Sequence, residues 1–266
     1  MKATHFIRLL LLVAMFPSVC PLAAAADDDD VIGADRPGLA EGAAVVGAGR
    51  FQVETGLQKE FFRLGGDTAQ VVSIPTLLRL GINEQWELRV ESDVRAWERV
   101  TDATGITTKS QGDAPVSIGA KYRFQEDDRP DMGLIVRVAP RSGSGNFRSQ
   151  ATTGDVRLVA DWALAPRWSL NPNIGYARAE DDAGLTYSSA VFAATLEYKV
   201  SDKWAVSLDG EVQAAESKNG GSASTVDAGV TYLLTRDTQL DFTLGGKSSG
   251  TTPPRLFVGA GVSVRF

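Results

Sequence analysis

The sequence predicts an all-β transmembrane barrel of about 12 antiparallel strands with short periplasmic turns. Three observations predict it. The last residues alternate, with Leu256, Val258, Ala260, Val262, Val264 and Phe266 on one face and the mostly small or charged Arg255, Phe257, Gly259, Gly261, Ser263 and Arg265 on the other. Upstream, alternating segments of roughly 10 to 14 residues recur about once every 20 residues. No window after residue 26 approaches the 18 or so consecutive apolar residues of a spanning helix. A soluble sandwich would turn the apolar face inward and would seldom end on it. A closed barrel puts that face in lipid and leaves no backbone group unpaired.

Residues 1–26 read as a cleaved secretory signal: Lys2 and Arg8, an apolar run from Leu9 to Phe16, then Ala24-Ala25-Ala26. Pro17-Ser-Val fits poorly as the approach to a lipid-modified Cys20. The signal holds the chain's sole His and Cys, His5 and Cys20. The mature protein then has no disulfide, no thiolate or imidazole metal site and no Ser-His or Cys-His nucleophile. No cofactor is expected. The formal net charge of −6 becomes more acidic once Lys2 and Arg8 leave, which argues against nucleic-acid binding.

Residues 27–50, rich in Asp, Gly and Ala, form a non-strand leader, and 51–266 form the barrel. The first strand, Phe51 to Phe62, sets Phe51, Val53 and Leu57 against Gln52, Glu54 and Gln58. The second puts Leu78 and Leu80 out and Ser73, Pro75 and Arg79 in. The third alternates Leu88 and Val90 with Glu87, Arg89, Glu91, Asp93 and Arg95, and a polar loop, Arg99 to Gly112, is expected after it. The fourth to seventh strands centre on Ile118, Val136, Leu158 and Ile174. The eighth alternates most clearly, from Ala190 to Val200. Val206, Val230 and Phe242 mark the ninth to eleventh, and the closing strand is the twelfth. Connections after even-numbered strands are short, which places both termini on the periplasmic side. Trp86, Phe124, Trp162, Trp168, Tyr198, Trp204, Tyr232 and Phe266 lie outward beside those turns, as an interfacial girdle would. Outward charges (Lys59, Glu98, Arg178, Glu180, Glu216) fall near the long-loop ends.

The junction of leader and first strand carries a family resemblance. Asp35-Arg36-Pro37, Glu41-Gly42 and Gly49-Arg50-Phe51-Gln52-Val53-Glu54-Thr55-Gly56 resemble the opening motif of the MetA-pathway phenol-degradation family of outer-membrane transporters. Gly47 stands where that family often has proline. The resemblance implies passage of small, aromatic or apolar molecules and supplies no catalytic residue.

The expected function is an outer-membrane channel or facilitator for small solutes. The alternatives are a structural or adhesive barrel and, more remotely, a barrel hydrolase, a class that depends on the histidine the mature chain lacks. Twelve strands should enclose a narrow lumen. Roughly equal numbers of acids and bases should line it. A basic arc (Lys121, Arg123, Arg137, Arg141, Arg157) should face an acidic arc (Asp209, Glu211, Asp227, Asp241), either creating a transverse field or pairing structurally. Inward glycines (Gly56, Gly119, Gly175, Gly229, Gly245, Gly259, Gly261) leave room in the lumen. The leader offers Asp35 and Glu41 to the basic arc and Arg36 to the acidic one, so it is expected either to plug the barrel or to hang as a tether. Outer-membrane lipid and, through Phe266, the barrel-assembly machinery are the other expected partners.

Overall fold

The computed structural model describes residues 31–124, 130–250 and 255–266. The signal reading of 1–26 and the first residues of the leader lie outside them. Thirteen antiparallel strands follow: β1 Phe51–Leu64, β2 Asp67–Gly81, β3 Trp86–Thr101, β4 Thr107–Gly112, β5 Ser117–Phe124, β6 Asp131–Ala139 and β7 Thr153–Ala165. Then come β8 Trp168–Glu180, β9 Thr186–Lys199, β10 Trp204–Gln213, β11 Ala223–Thr235, β12 Thr238–Ser249 and β13 Leu256–Arg265. The sheet closes on itself where β1 pairs with β13, from Gln52 opposite Arg265 to Phe61 opposite Leu256. Because β5 pairs with the first half of β3 and β4 with its second half, these two share one place in the wall. The circumference is therefore twelve strands.

The strand β4 corrects the expected loop from Arg99 to Gly112. In its place β3 runs on to Thr101 and a tight turn leads back into β4. The Asp102 side chain caps that turn by accepting the backbone N–H groups of Thr104 and Ile106, each at 2.9 Å. The β4 sequence, Thr-Thr-Lys-Ser-Gln-Gly, has no apolar face, so alternation gives no signal there. A second correction concerns side-chain direction. Pro75 sits opposite Asp93 but Ser73 sits opposite Ala96, so β3 carries one extra residue, a bulge. It reverses the alternation, and Ala96 faces the interior, 1% exposed. Arg95 instead pairs with Asp113 at 3.1 Å and lies over the Trp97 ring. Glu98 accepts hydrogen bonds from Ser110 and Asn146 rather than facing outward.

The molecule is inside-out. Its largest fully buried side chains include Arg79, Arg89, Lys121, Gln52, Glu54 and Glu87, while Leu57, Ile118, Ile174, Phe192, Leu208 and Phe242 are exposed on the outside. That is the partition a lipid-facing wall requires. Aromatic pairs mark the short-turn end: Trp86–Tyr122 and Trp168–Tyr198 at 4.7 Å, Trp204–Tyr232 at 4.6 Å, and Phe51 stacked on Phe266 at 6.4 Å. At the other end β1 turns into β2 through Gly65 and Gly66. Their φ values of 59° and 108° are ones that L side chains rarely adopt.

Candidate channel lumen and its plug

Residues 31–50 run inside the barrel. They enter at the short-turn end, where the Ile32 N–H donates to the Arg236 carbonyl at 2.8 Å. They leave at the same end, where Gly49 and Arg50 pair with Gly81 at 2.9 Å. An aperiodic segment buried this way must satisfy its backbone from elsewhere. Side chains of the wall do so. Glu54 accepts the N–H groups of Asp35 and Arg36, both at 3.0 Å. Asp161 accepts those of Ala43 and Ala44 at 3.0 and 3.2 Å. Asn173 makes a two-bond clasp with the Glu41 backbone, 2.9 Å each way. Lys121 donates to the Gly42 and Ala44 carbonyls at 2.7 and 3.2 Å.

Three leader side chains make ion pairs with the wall. Asp35 meets Arg89 at 2.7 Å, Lys121 at 3.5 Å and Arg79 at 3.7 Å. Glu41 Oε1 bridges Arg89 at 2.8 Å and Arg137 at 2.9 Å. Arg36 forks onto Asp241, 3.0 Å through Nη2 and 3.3 Å through Nε. Glycine makes room for that fork: a Cβ at Gly261 would lie 2.5 Å from the Arg36 guanidinium, and one at Gly229 2.9 Å from Pro37. Gly119 and Gly175 serve the wall itself, admitting the stems of Arg137 and Arg157.

The remaining arc residues divide. Arg137 chelates Asp155 through two bonds, at 2.9 and 2.7 Å, and Arg157 holds the same carboxylate at 2.9 Å. Arg123 pairs with Asp131 across neighbouring strands at 2.7 Å. Arg141 does not line the wall, because β6 ends at Ala139 and alternation no longer governs direction; it is exposed in the following loop. On the acidic side, Asp209 accepts from the Leu39 N–H at 3.3 Å and from Ser207 at 2.9 Å, and also bonds Thr195. Glu211 approaches Arg157 at 3.9 Å, and Asp227 has no ion pair among the described residues. With Arg36 on Asp241, Asp35 on Lys121 and Glu41 on Arg137, the docked leader neutralises part of the basic arc and one member of the acidic one. Most of these charges are therefore paired locally.

The comparison with known proteins follows from this layout. A family model described as "Putative MetA-pathway of phenol degradation" matches residues 34–266. The chain belongs to this family. Among solved structures, an outer-membrane channel from Pseudomonas putida F1 is similar with a TM-score of 0.62 at 12% identity, over 84% of this chain and 98% of that one. The translocator domain of the autotransporter NalP from Neisseria meningitidis follows with a TM-score of 0.52 at 14% identity, over 83% and 89%. The transport unit of AIDA-I from Escherichia coli has a TM-score of 0.53 at 6% identity, over 82% and 89%. At these identities the likeness is one of fold. No curated protein matches the sequence.

In this family member the leader divides the lumen into cavities. Toward the long loops lies one of about 870 Å³, bounded by Arg137, Arg157, Phe147 and Glu180. A neighbouring one of about 330 Å³ is lined by Arg36, Glu91 and Asp93. Toward the short turns lie cavities of about 190 and 570 Å³, both lined by Glu197. Two carboxylates fasten the long loops. Glu180 holds Ser149, Gln150 and Ala151 of one loop. Asp181 accepts the N–H groups of Lys218, Leu185 and Ala183 at 3.0, 2.9 and 3.1 Å. The Lys218 and Leu185 bonds hold the Asp181 carboxyl below its ordinary value of 3.8. Glu216, expected outward, is 7% exposed and pairs with Lys247 at 3.0 Å, because the chain has already left β10.

Sequence reasoning placed Arg79, Arg89, Glu54 and Glu87 inside but gave them no role. They form the buried centre that receives Asp35, with Arg79 on Glu87 at 2.8 Å and on Glu54 at 3.0 Å. The signal for it was the run Glu87-x-Arg89-x-Glu91-x-Asp93, four charges of both signs on one face.

Proposed function

We propose that the chain is a gated outer-membrane channel for small solutes, with residues 31–50 as its plug. The observation that carries this reading is the leader's path: a segment inside the wall, held by Arg36–Asp241, Asp35–Arg89 and Glu41–Arg137, with cavities on either side. Buried ion pairs are a poor source of net stability but a good source of registry and of two-state behaviour. The description of the family supports small aromatic or apolar compounds as the solutes. The test is single-channel conductance in planar bilayers after deleting residues 27–44. The expected result is larger or more frequent openings; conductance and gating identical to the intact chain would overturn the plug. No conductance from either protein would favour a barrel without transport.

A further inference from the structure

Charge does not balance along the lumen. The cations buried within it, Arg36, Arg79, Arg89, Lys121, Arg137 and Arg157, each have at least one carboxylate partner. The converse fails. Among the described residues, Glu60, Asp93, Glu197 and Asp227 make no ion pair. Glu60 accepts one hydrogen bond, from Gln58 at 2.6 Å. Asp227 is 3% exposed, and neither of its carboxylate oxygens accepts a hydrogen bond. Directly across the strand pair from it stands Asp209, another carboxylate without a cation, and two carboxylates so placed carry one negative charge between them. The cavity-lining cations without an ion pair among the described residues, Arg167, Lys199 and Lys203 at the short-turn mouth and Arg148 and Arg178 at the long-loop mouth, are exposed.

Two of these carboxylates line cavities on either side of Arg36. Asp93 lines the cavity of about 330 Å³ toward the long loops, and Glu197 the one of about 190 Å³ toward the short turns. Arg36 lines both cavities. Its own charge is matched by the two bonds to Asp241. Along this path Asp93 and Glu197 stand without an ion pair, so the fixed charge they add is negative, in a channel whose walls focus the field.

We infer that the lumen selects cations: small inorganic cations and protonated amines pass in preference to carboxylates, phosphates and other anions. The inference rests on the channel reading above and adds the sign of the solute's charge to it. A potential of only about −1 kT/e in the lumen favours a monovalent cation over the matching anion by roughly sevenfold.

The experiment is the permeability ratio of potassium to chloride, read from the reversal potential of the intact protein in planar bilayers under a potassium chloride gradient. If only the leader-deleted protein conducts, the same ratio is read on it. A preference for potassium of several-fold is expected, weakening as salt rises. Combining Glu60→Gln, Asp93→Asn, Glu197→Gln and Asp227→Asn, with folding checked by the mobility shift on boiling, should bring the ratio toward one. A ratio at or below one in the unsubstituted protein overturns the inference and leaves the channel reading standing. An undiminished ratio in the fourfold variant overturns its assignment to these carboxylates. Absence of conductance from both intact and leader-deleted protein removes the channel reading, and this inference with it.

Discussion

Replacing Arg36 with methionine tests the plug at its most isolated contact. Arg36→Met keeps most of the side chain's length and removes its charge. Asp241, with a side chain that is 0% exposed, then stays buried in the docked state with no cation. Losing one partner of a buried pair costs about 3 to 5 kcal/mol. Arg36 is itself 16% exposed, so some water reaches the pair and the lower figure applies. Undocking the leader opens Asp241 to water and removes that penalty, so the cost falls on the closed state alone. About 3 kcal/mol corresponds to a rise of roughly 100-fold in the open-to-closed ratio. The assay is open probability in planar bilayers for the original chain, Arg36→Met, and Arg36→Met with Asp241→Asn. The double variant buries a neutral amide where the single one buries a bare charge, so it should close again most of the way. An open-to-closed ratio in Arg36→Met equal to that of the original chain would refute the reasoning. So would a double variant as open as the single one.

Three further outcomes are expected. Gly261→Ala puts a methyl group 2.5 Å from the Arg36 guanidinium, and such overpacking costs about 1 to 3 kcal/mol; it should raise open probability less than Arg36→Met, and an unchanged value would mean that the niche is not filled. Arg in place of Val206, which is 42% exposed, or of Leu196 on the adjacent strand should lower folding stability, by less than the roughly 2 to 4 kcal/mol of the bilayer midplane because Val206 stands opposite the girdle residue Tyr198. Unfolding in detergent or vesicles reads this, and no change at either site would mean that the faces are reversed. The depressed pKa of Asp181 means that its grip on the loops is complete above pH 3.8 and is lost as pH falls below that value. Hydrogen exchange at Leu185 and Lys218 should therefore accelerate only below pH 3.8, and loosening already at pH 5 would contradict it.

How much of this was legible depended on alternation. Where a strand crosses lipid, as in β9 from Ala190 to Tyr198, every second side chain must be apolar, and the pattern reads directly. Alternation failed at its own limits. The strand β4 has no lipid to face and so no apolar face to show. The bulge opposite Ile74 inserts one residue and reverses the side chains after Val94, which misplaced Arg95 and Glu98. Arg141 and Glu216 were assigned by continuing the pattern past Ala139 and Gln213, where the strands end. The leader has no period, so its path could be argued only from the signs of Asp35, Arg36 and Glu41. That argument could name complementary arcs. It could not supply the Glu54, Asp161 and Asn173 contacts, which depend on where backbone N–H groups come to rest.

The leader's entry and exit at one end have a mechanical consequence. A segment threaded through the barrel would have to be drawn past every contact at once, in shear. This one is a loop whose two limbs reach the same rim, anchored by Ile32 at Arg236 and by Gly49 and Arg50 at Gly81. Tension applied to the chain before Ile32 would load first the bond to Arg236, then Gly33 on Arg79, then Asp35 and Arg36 on Glu54, one after another. That is the geometry of a peeled strip, which yields to a small steady pull where a sheared joint would hold. The wall need not expand for the loop to come out, and the covalent link to β1 keeps it beside the mouth for its return.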